Sequence, residues 1–252
     1  MILPDIPLSY LVLALAAYVA GAMNTMAGGG SFVTLPVLIF TGLDARAANI
    51  TNTMSLFPGQ IASALVGRDL VQGVGGLSFR TILAASLAGG AAGALLLLAT
   101  PAHAFTVLVP WLILFATAVF TWGSFLRKQS DVAARLPAWA VLTIQFFISV
   151  YGGYFGGGIG FLMLATLTLA GMAIRNAGAT KNALSSLLNA AAALVFAFSS
   201  DVSWPRAAII ACGSVAGGLT GVWLLKRVPE KAFRAVVVAI GLALTVGMFL
   251  RA

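Results

Sequence analysis

Polar side chains that could bind a ligand are rare in this chain and occur mainly after two glycine triplets. After each triplet they recur at spacings of three, four and seven residues, which places them along one face of a helix. Amide and hydroxyl groups of this kind suit a neutral or anionic ligand, because they donate hydrogen bonds at a modest desolvation cost. The candidates are Asn49, Asn52, Thr53 and Gln60 in the first half, and Lys181, Asn182, Ser185 and Asn189 in the second.

The glycine triplets, Gly28-Gly29-Gly30 and Gly156-Gly157-Gly158, interrupt long apolar stretches at positions 128 residues apart. Glycine is unfavourable inside a helix, and irregular backbone at membrane depth is tolerated only where it lines a cavity or meets a ligand. A short helix that begins after such a triplet aims free backbone N–H groups and its positive dipole end at an anion. Asn24 and Ser31 lie beside the first triplet and are further candidates for the binding site.

Arg46 and Arg175 occupy equivalent places in the two halves. They are candidates for charges that attract anions at the two mouths of the site, although cations next to a membrane span more often anchor topology. Every carboxylate falls in a terminus or a connection, so a buried acid acting as a proton relay is not expected. The sequence contains no catalytic motif and no cluster of metal-ligating residues, and we expect neither enzymatic activity nor a cofactor.

The composition predicts an integral membrane protein with helical spans. Apolar residues make up 61% of the 252 residues and charged residues 8%. The apolar runs repeatedly reach the roughly 20 residues that cross a bilayer core. The formal charge of +8 comes from Lys and Arg scattered through short connections, so membrane topology explains it better than a nucleic-acid partner does. The lipid bilayer and a small anionic substrate are the expected partners, and a homodimer is left open.

The chain contains an internal duplication that extends over most of both halves. We therefore predict a first membrane repeat over residues 1–126, a cytoplasmic connection over 127–137, and a second membrane repeat over 138–252. Besides the triplets, three residues recur at the offset of 128: Gly93, Pro101 and Phe105 reappear as Gly221, Pro229 and Phe233.

The basic residues select between two membrane topologies. If each glycine-broken stretch crosses the membrane once, the fourteen Lys and Arg residues split seven against seven, and neither orientation is preferred. If each broken stretch instead enters the membrane, turns at its glycines and returns to the side from which it came, the Lys and Arg residues split eleven against three. That split fits the positive-inside rule. The second arrangement gives five membrane segments per half, and an odd number requires inverted repeats. The predicted fold is an all-α polytopic membrane protein of two inverted repeats with glycine-broken half-helices.

Two segments resemble a known family. The segment Gly21–Phe32, followed by Ala48–Thr53, resembles the first half of the TauE/SafE family of sulfite and sulfonate exporters. The segment Gly152–Gly160, with Lys181-Asn182 and Asn189 downstream, resembles the second repeat of that family. The likeness spans essentially the whole chain. It implies a multi-pass transporter of the bacterial inner membrane that exports small sulfur-containing or organic anions such as sulfite or sulfoacetate. An anion channel is the alternative that the residues leave open.

We predict that both termini face the periplasm and that the connection over 127–137 faces the cytoplasm. A reporter that is active only in the cytoplasm should give a background signal when it is fused after Ala252, because the eleven-to-three split places that end outside. The same reporter inserted between Arg127 and Arg135 is the positive control. A strong signal from the Ala252 fusion would contradict the inverted arrangement.

Overall fold

The structure is a computed structural model that describes residues 6–26, 29–122 and 136–224, together with 235, 238, 239, 242, 243, 245, 246 and 249. Apart from a single turn of 3-10 helix at Arg68–Leu70 and one isolated bridge, the regular structure of these residues is α-helical. The predicted connection over 127–137 falls almost wholly outside the described residues. The helices are α1 (Ile6–Met26), α2 (Ser31–Phe40), α3 (Ala45–Val66), α4 (Phe79–Ala99), α5 (Ala102–Thr121), α6 (Ala138–Tyr154), α7 (Ile159–Leu169), α8 (Ile174–Phe196) and α9 (Trp204–Leu224).

Both glycine triplets interrupt helices where the sequence predicts, and a short helix follows each of them. Gly29, Gly156 and Gly158 have φ angles of 89°, 83° and 77°, in the left-handed region that favours glycine. The helices that follow, α2 and α7, contain 10 and 11 residues. At 1.5 Å per residue each is about 15 to 17 Å long, which is roughly half of a bilayer core. The expectation of glycine-initiated short helices is confirmed.

An ion pair and several hydrogen bonds bring a number of helix ends together at one end of the protein. At what we call the Asp201 end, Arg46 pairs through Nη2 with Asp201 Oδ2 at 2.8 Å and donates through Nη1 to Thr100 O at 2.9 Å. Arg206 Nη2 donates to Thr41 O at 2.9 Å at the same end. The end of α2, the beginning of α3, the end of α4 and the beginning of α9 therefore meet here.

A second set of bonds defines the opposite end, which we call the Leu70 end. Asn176 Nδ2 donates to Leu70 O at 3.1 Å, and Leu136 N donates to Leu169 O at 3.5 Å. Because Leu136 directly precedes α6 and Leu169 ends α7, the chain enters and leaves this glycine-broken pair at the same end. It follows that α3 runs from the Asp201 end to the Leu70 end, whereas α8 runs in the opposite direction.

The helices pack in a reciprocal pattern between the two halves of the chain. Helix α1 packs against α9 and α6 packs against α4, so the first helix of each half contacts the fourth helix of the other. Glycines allow these backbones to approach closely: a Cβ on Gly217 would lie 1.9 Å from Tyr18 O, and one on Gly93 would lie 2.0 Å from Val150 O. Helices α3 and α8 pack against each other between these two pairs.

Two of the described helices, α4 and α5, are long and apolar enough to cross a membrane by length and composition. The helices α2, α6 and α7 are apolar but shorter, while α3 and α8 carry the polar stripes noted above. Large apolar side chains cover much of the outer surface, with Trp139 and Leu194 each 70% exposed. A surface of this kind is stable against lipid and unfavourable against water.

Gly93→Ala should destabilise the fold, because its methyl group would overlap the backbone of α6 and force the two helices apart. The cost of overpacking is about 1 to 3 kcal/mol, which should lower the apparent unfolding temperature of the detergent-purified protein. Gly178→Ala is the matched control, since Gly178 lies in α8 and a Cβ there meets no atom within 4 Å. If the two variants unfolded at the same temperature, close packing between α4 and α6 would not be a source of stability.

Candidate functional site

The two glycine breaks meet at a cavity of about 70 Å³ between α3 and α8. At roughly 10 to 15 Å³ per water-sized probe, this volume holds about five waters or one small ion. Ten of the residues that we expected at a binding site line it, and no carboxylate does so. The lining residues are Asn24, Gly29, Ser31 and Gln60 from the first half, and Gly156, Gly157, Gly158, Ile159, Gly160, Phe161, Lys181, Asn182 and Ser185 from the second.

The beginning of α7 presents free backbone donors to this cavity. Gly158 is the N-cap of α7 and has a left-handed conformation. As a glycine it has no side chain that could accept a capping hydrogen bond. No partner for the backbone N–H groups of residues 157 to 160 is found among the described residues, and all four residues line the cavity. The first N–H groups of a helix lack partners within the helix, and together with the helix dipole they favour an anion.

The beginning of α2 is built differently, because its donors are largely occupied. Gly30 N donates to Asn24 Oδ1 at 2.8 Å, and the N–H groups of Phe32 and Val33 bond back to Gly29 O and Gly30 O. Gly30 itself is buried, and a Cβ there would lie 2.6 Å from Ala20 O. Gly29 and Ser31 still line the cavity, whereas Gly28 lies outside the described residues. The two halves therefore contribute unequally to the site.

Lys181 supplies the positive charge of the cavity. It lies in the second turn of α8, and a Cβ on Gly160 of α7 would lie 3.6 Å from Lys181 Nζ. The ion pairs among the described residues are Arg46 with Asp201 and Arg68 with Asp69, so Lys181 has no carboxylate partner there. An ammonium group beside free N–H groups makes the cavity electropositive.

Carboxamide groups complete the lining. Asn182 and Asn24 face the cavity directly, as does Gln60 of α3. Asn189, which is buried on α8, does not line the cavity but donates through Nδ2 to Gln60 Oε1 at 2.6 Å. Ser185, which does line it, donates to Met163 Sδ at 3.2 Å.

The remaining polar residues of the first stripe are bonded within the protein, outside the cavity. Asn49 Nδ2 donates to Tyr154 O at 3.0 Å, and Thr53 Oγ1 donates to Asn49 O at 3.1 Å. Asn52 is buried and accepts a hydrogen bond through Oδ1 from Thr34 of α2. Asn49 and Asn52 thus join α3 to α6 and α2, and Thr53 bonds within α3. Gln60, further along the same helix, reaches the cavity.

The two arginines expected at the mouths are placed in different environments. Arg46 is engaged with Asp201 and Thr100 at the Asp201 end, so its charge is largely neutralised there. Arg175 is exposed near the Leu70 end. Among the described residues, no three His, Cys, Asp or Glu side chains come together as metal ligands would.

The sequence alone did not single out Ile159, Gly160 and Phe161 as cavity residues. Their contribution comes from backbone position in the first turn of α7, and the glycine triplet immediately before them is the signal that could have identified it. A smaller apolar pocket of about 10 Å³ adjoins the cavity, sharing Ser31 and Gly157 with it. Phe155 and Ile113 are among its other lining residues.

Comparison with known proteins gives one consistent result. The family model described as Sulfite exporter TauE/SafE matches residues 13–248. A "Probable membrane transporter protein" of Haemophilus influenzae is 27% identical over 240 residues, covering 94% of this chain and 93% of the relative. "Probable membrane transporter protein ORF9" of a Sinorhizobium species is 28% identical, covering 92% and 88%. "Probable membrane transporter protein YfcA" of Escherichia coli K12 is 26% identical, covering 93% and 87%. No solved structure matches the chain significantly. The chain therefore belongs to the TauE/SafE family of membrane transporters.

Proposed function

We propose that this protein is a secondary transporter that binds a small oxyanion, sulfite or a short sulfonate such as sulfoacetate, and exports it across the bacterial inner membrane. The observation that carries the proposal is the convergence of two kinds of donor on one cavity. The free N–H groups at the start of α7 and the ammonium group of Lys181 face the same space, and no carboxylate lines it. The outward direction rests on the description of the family as sulfite exporters.

The charge balance of the cavity favours an anion over a cation or a neutral ligand. A buried ammonium group without a counter-charge is costly, and a bound anion relieves that cost. Free N–H groups at a helix start bind oxyanions without adding a second permanent charge. A cation would meet Lys181 and the positive end of α7 with no carboxylate to offset them.

The size of the cavity supports a compact substrate. A volume of about 70 Å³ accommodates an ion of a few heavy atoms but not a bulky organic acid. The adjoining apolar pocket of about 10 Å³ has room for little more than one methyl or methylene group. We infer that a sulfur oxyanion, alone or with a short organic tail, is the class of substrate that fits.

We also propose that the two halves are inverted repeats and that the chain crosses the membrane several times, with both termini outside. Support comes from α3 and α8, which carry Arg46 and Arg175 at equivalent positions and run in opposite directions between the Asp201 end and the Leu70 end. The hydrogen bond from Leu136 N to Leu169 O supports a reversal of the chain between α6 and α7, because it joins the start of α6 to the end of α7. A half of this kind, repeated upside down, gives access to one central site from either side.

The channel alternative has no feature of the described residues in its favour. The names of the family and of the relatives describe exporters and transporters. Flux measured in proteoliposomes separates the two mechanisms, because a carrier saturates with substrate concentration whereas a channel conducts in proportion to the driving force.

The proposal predicts that Lys181→Met strongly weakens the binding of sulfite. Removing a charged hydrogen-bond partner costs about 1.5 to 3 kcal/mol, which corresponds to about a ten- to hundredfold loss of affinity. Binding of sulfite to the purified protein, measured by calorimetry, checks this. The control is Arg175→Gln on the same helix, which removes an exposed charge outside the cavity and should leave affinity within about twofold while weakening its salt dependence. Sulfite binding that is unchanged in Lys181→Met but lost in Arg175→Gln would place the site elsewhere.

A second pair of variants distinguishes cavity residues from structural ones. Asn182→Leu should lower the affinity for sulfite at least tenfold while the unfolding temperature stays nearly constant, because Asn182 faces the cavity and has no partner among the described residues. Asn52→Leu should do the reverse: it removes the amide that accepts from Thr34 and leaves that hydroxyl only Gly30 O, at a cost of about 0.5 to 1.5 kcal/mol of stability. Both properties are measured on the same detergent-purified samples. Equal effects of the two variants on affinity would mean that Asn52 also contacts the substrate.

A further inference from the structure

The carboxamide groups at the cavity present a problem for anion binding, because each has a donor end and an acceptor end of similar shape. An amide that turned its oxygen toward the cavity would repel an oxyanion, while one that turned its NH₂ group inward would bind it. Two of these groups, Asn24 and Gln60, come from different helices of the first half and line the cavity together.

The oxygen of Asn24 is already occupied by the protein. Gly30 N donates to Asn24 Oδ1 at 2.8 Å. A backbone N–H group can only donate, so the atom of Asn24 that faces Gly30 must be its oxygen. The NH₂ group of Asn24 has no partner among the described residues and remains available to the cavity.

The oxygen of Gln60 is bonded to a residue of the other half. Asn189 Nδ2 donates to Gln60 Oε1 at 2.6 Å where α3 and α8 pack together. Asn189 follows Gln60 by 129 residues, the same separation that relates Arg46 to Arg175. The two residues are thus equivalent positions of the two halves. Asn189 is 6% exposed and does not line the cavity, so it acts on the ligand only through Gln60.

We propose that Gly30 and Asn189 hold the carboxamides of Asn24 and Gln60 with their oxygens bonded to the protein and their NH₂ groups toward the cavity, which makes Asn189 a positioning residue for anion selectivity. This inference rests on the proposed function, since it assigns an orientation to groups of the same anion site. With both oxygens engaged, the cavity offers donors from two amides, from the start of α7 and from Lys181. The site thereby attracts oxyanions and rejects cations without a second buried charge.

A double-mutant cycle on Gln60 and Asn189 tests the inference. Asn189→Leu removes the donor at nearly constant volume, and Gln60→Met removes the amide at similar length. We expect Asn189→Leu to lower the affinity for sulfite about three- to tenfold, because the freed amide of Gln60 then also presents its oxygen. In the Gln60→Met background the same change should alter affinity less than twofold, since no amide remains to be oriented. Calorimetry gives the affinities, and thermal unfolding of each variant reports structural damage separately.

Asn24→Asp provides an arm that does not depend on Asn189. A carboxylate still accepts the hydrogen bond from Gly30 N, so the unfolding temperature should change little, while the exchange of NH₂ for oxygen should lower sulfite affinity at least tenfold. Affinity retained in Asn24→Asp, or an effect of Asn189→Leu that is the same with and without Gln60, would overturn the inference. The proposed function fails separately: in that case the wild-type protein does not bind sulfite, or Lys181→Met binds it normally.

Discussion

The central physical constraint on this structure is the ammonium group of Lys181, which lies inside a helical protein with an apolar exterior. Lys181 has no carboxylate partner among the described residues, and removing such a charge from water costs several kcal/mol unless other groups replace the water. The cavity between α3 and α8 meets this need, because it leaves room for a hydrated or bound anion beside the charge. The glycine breaks are what create that room, since continuous helices would fill it with side chains.

The breaks have a second consequence, which is the supply of donors. Ending α6 at Tyr154 and beginning α7 at Ile159 exposes the N–H groups of a helix start at the depth of the cavity. Glycine is required here because two of the three triplet residues have positive φ angles, and because a Cβ on Gly157 would lie 2.6 Å from the ring of Phe155. The glycine break before α7 therefore provides both the space beside the Lys181 ammonium group and the free N–H donors that face it. Around them, α1 packs closely against α9 and α4 against α6.

Much of the architecture could be predicted from the sequence because its determinants are local. Three consecutive glycines disfavour a continuous helix, so the short helices α2 and α7 were predictable from the two triplets. The environment of each polar residue could not be predicted in this way, because it depends on which helix lies opposite that residue. Asn49 and Gln60 are eleven residues apart on one face of α3, which separates them by about 16 Å along the helix. Asn49 there meets the end of α6, while Gln60 meets Asn189 and the cavity. Likewise the pairing of Arg46 with Asp201 joins residues 155 positions apart, which no local pattern encodes.

The central claim is that an oxyanion binds between Lys181 and the start of α7. The most direct measurement is an anomalous difference map, recorded at the selenium edge, from crystals of the unlabelled protein soaked with selenite, the heavier analogue of sulfite. The account predicts one strong peak within hydrogen-bonding distance of Lys181 Nζ and of backbone N–H groups among residues 157 to 160. A cavity without a peak, with selenite bound instead at the arginines of the connections, would contradict it.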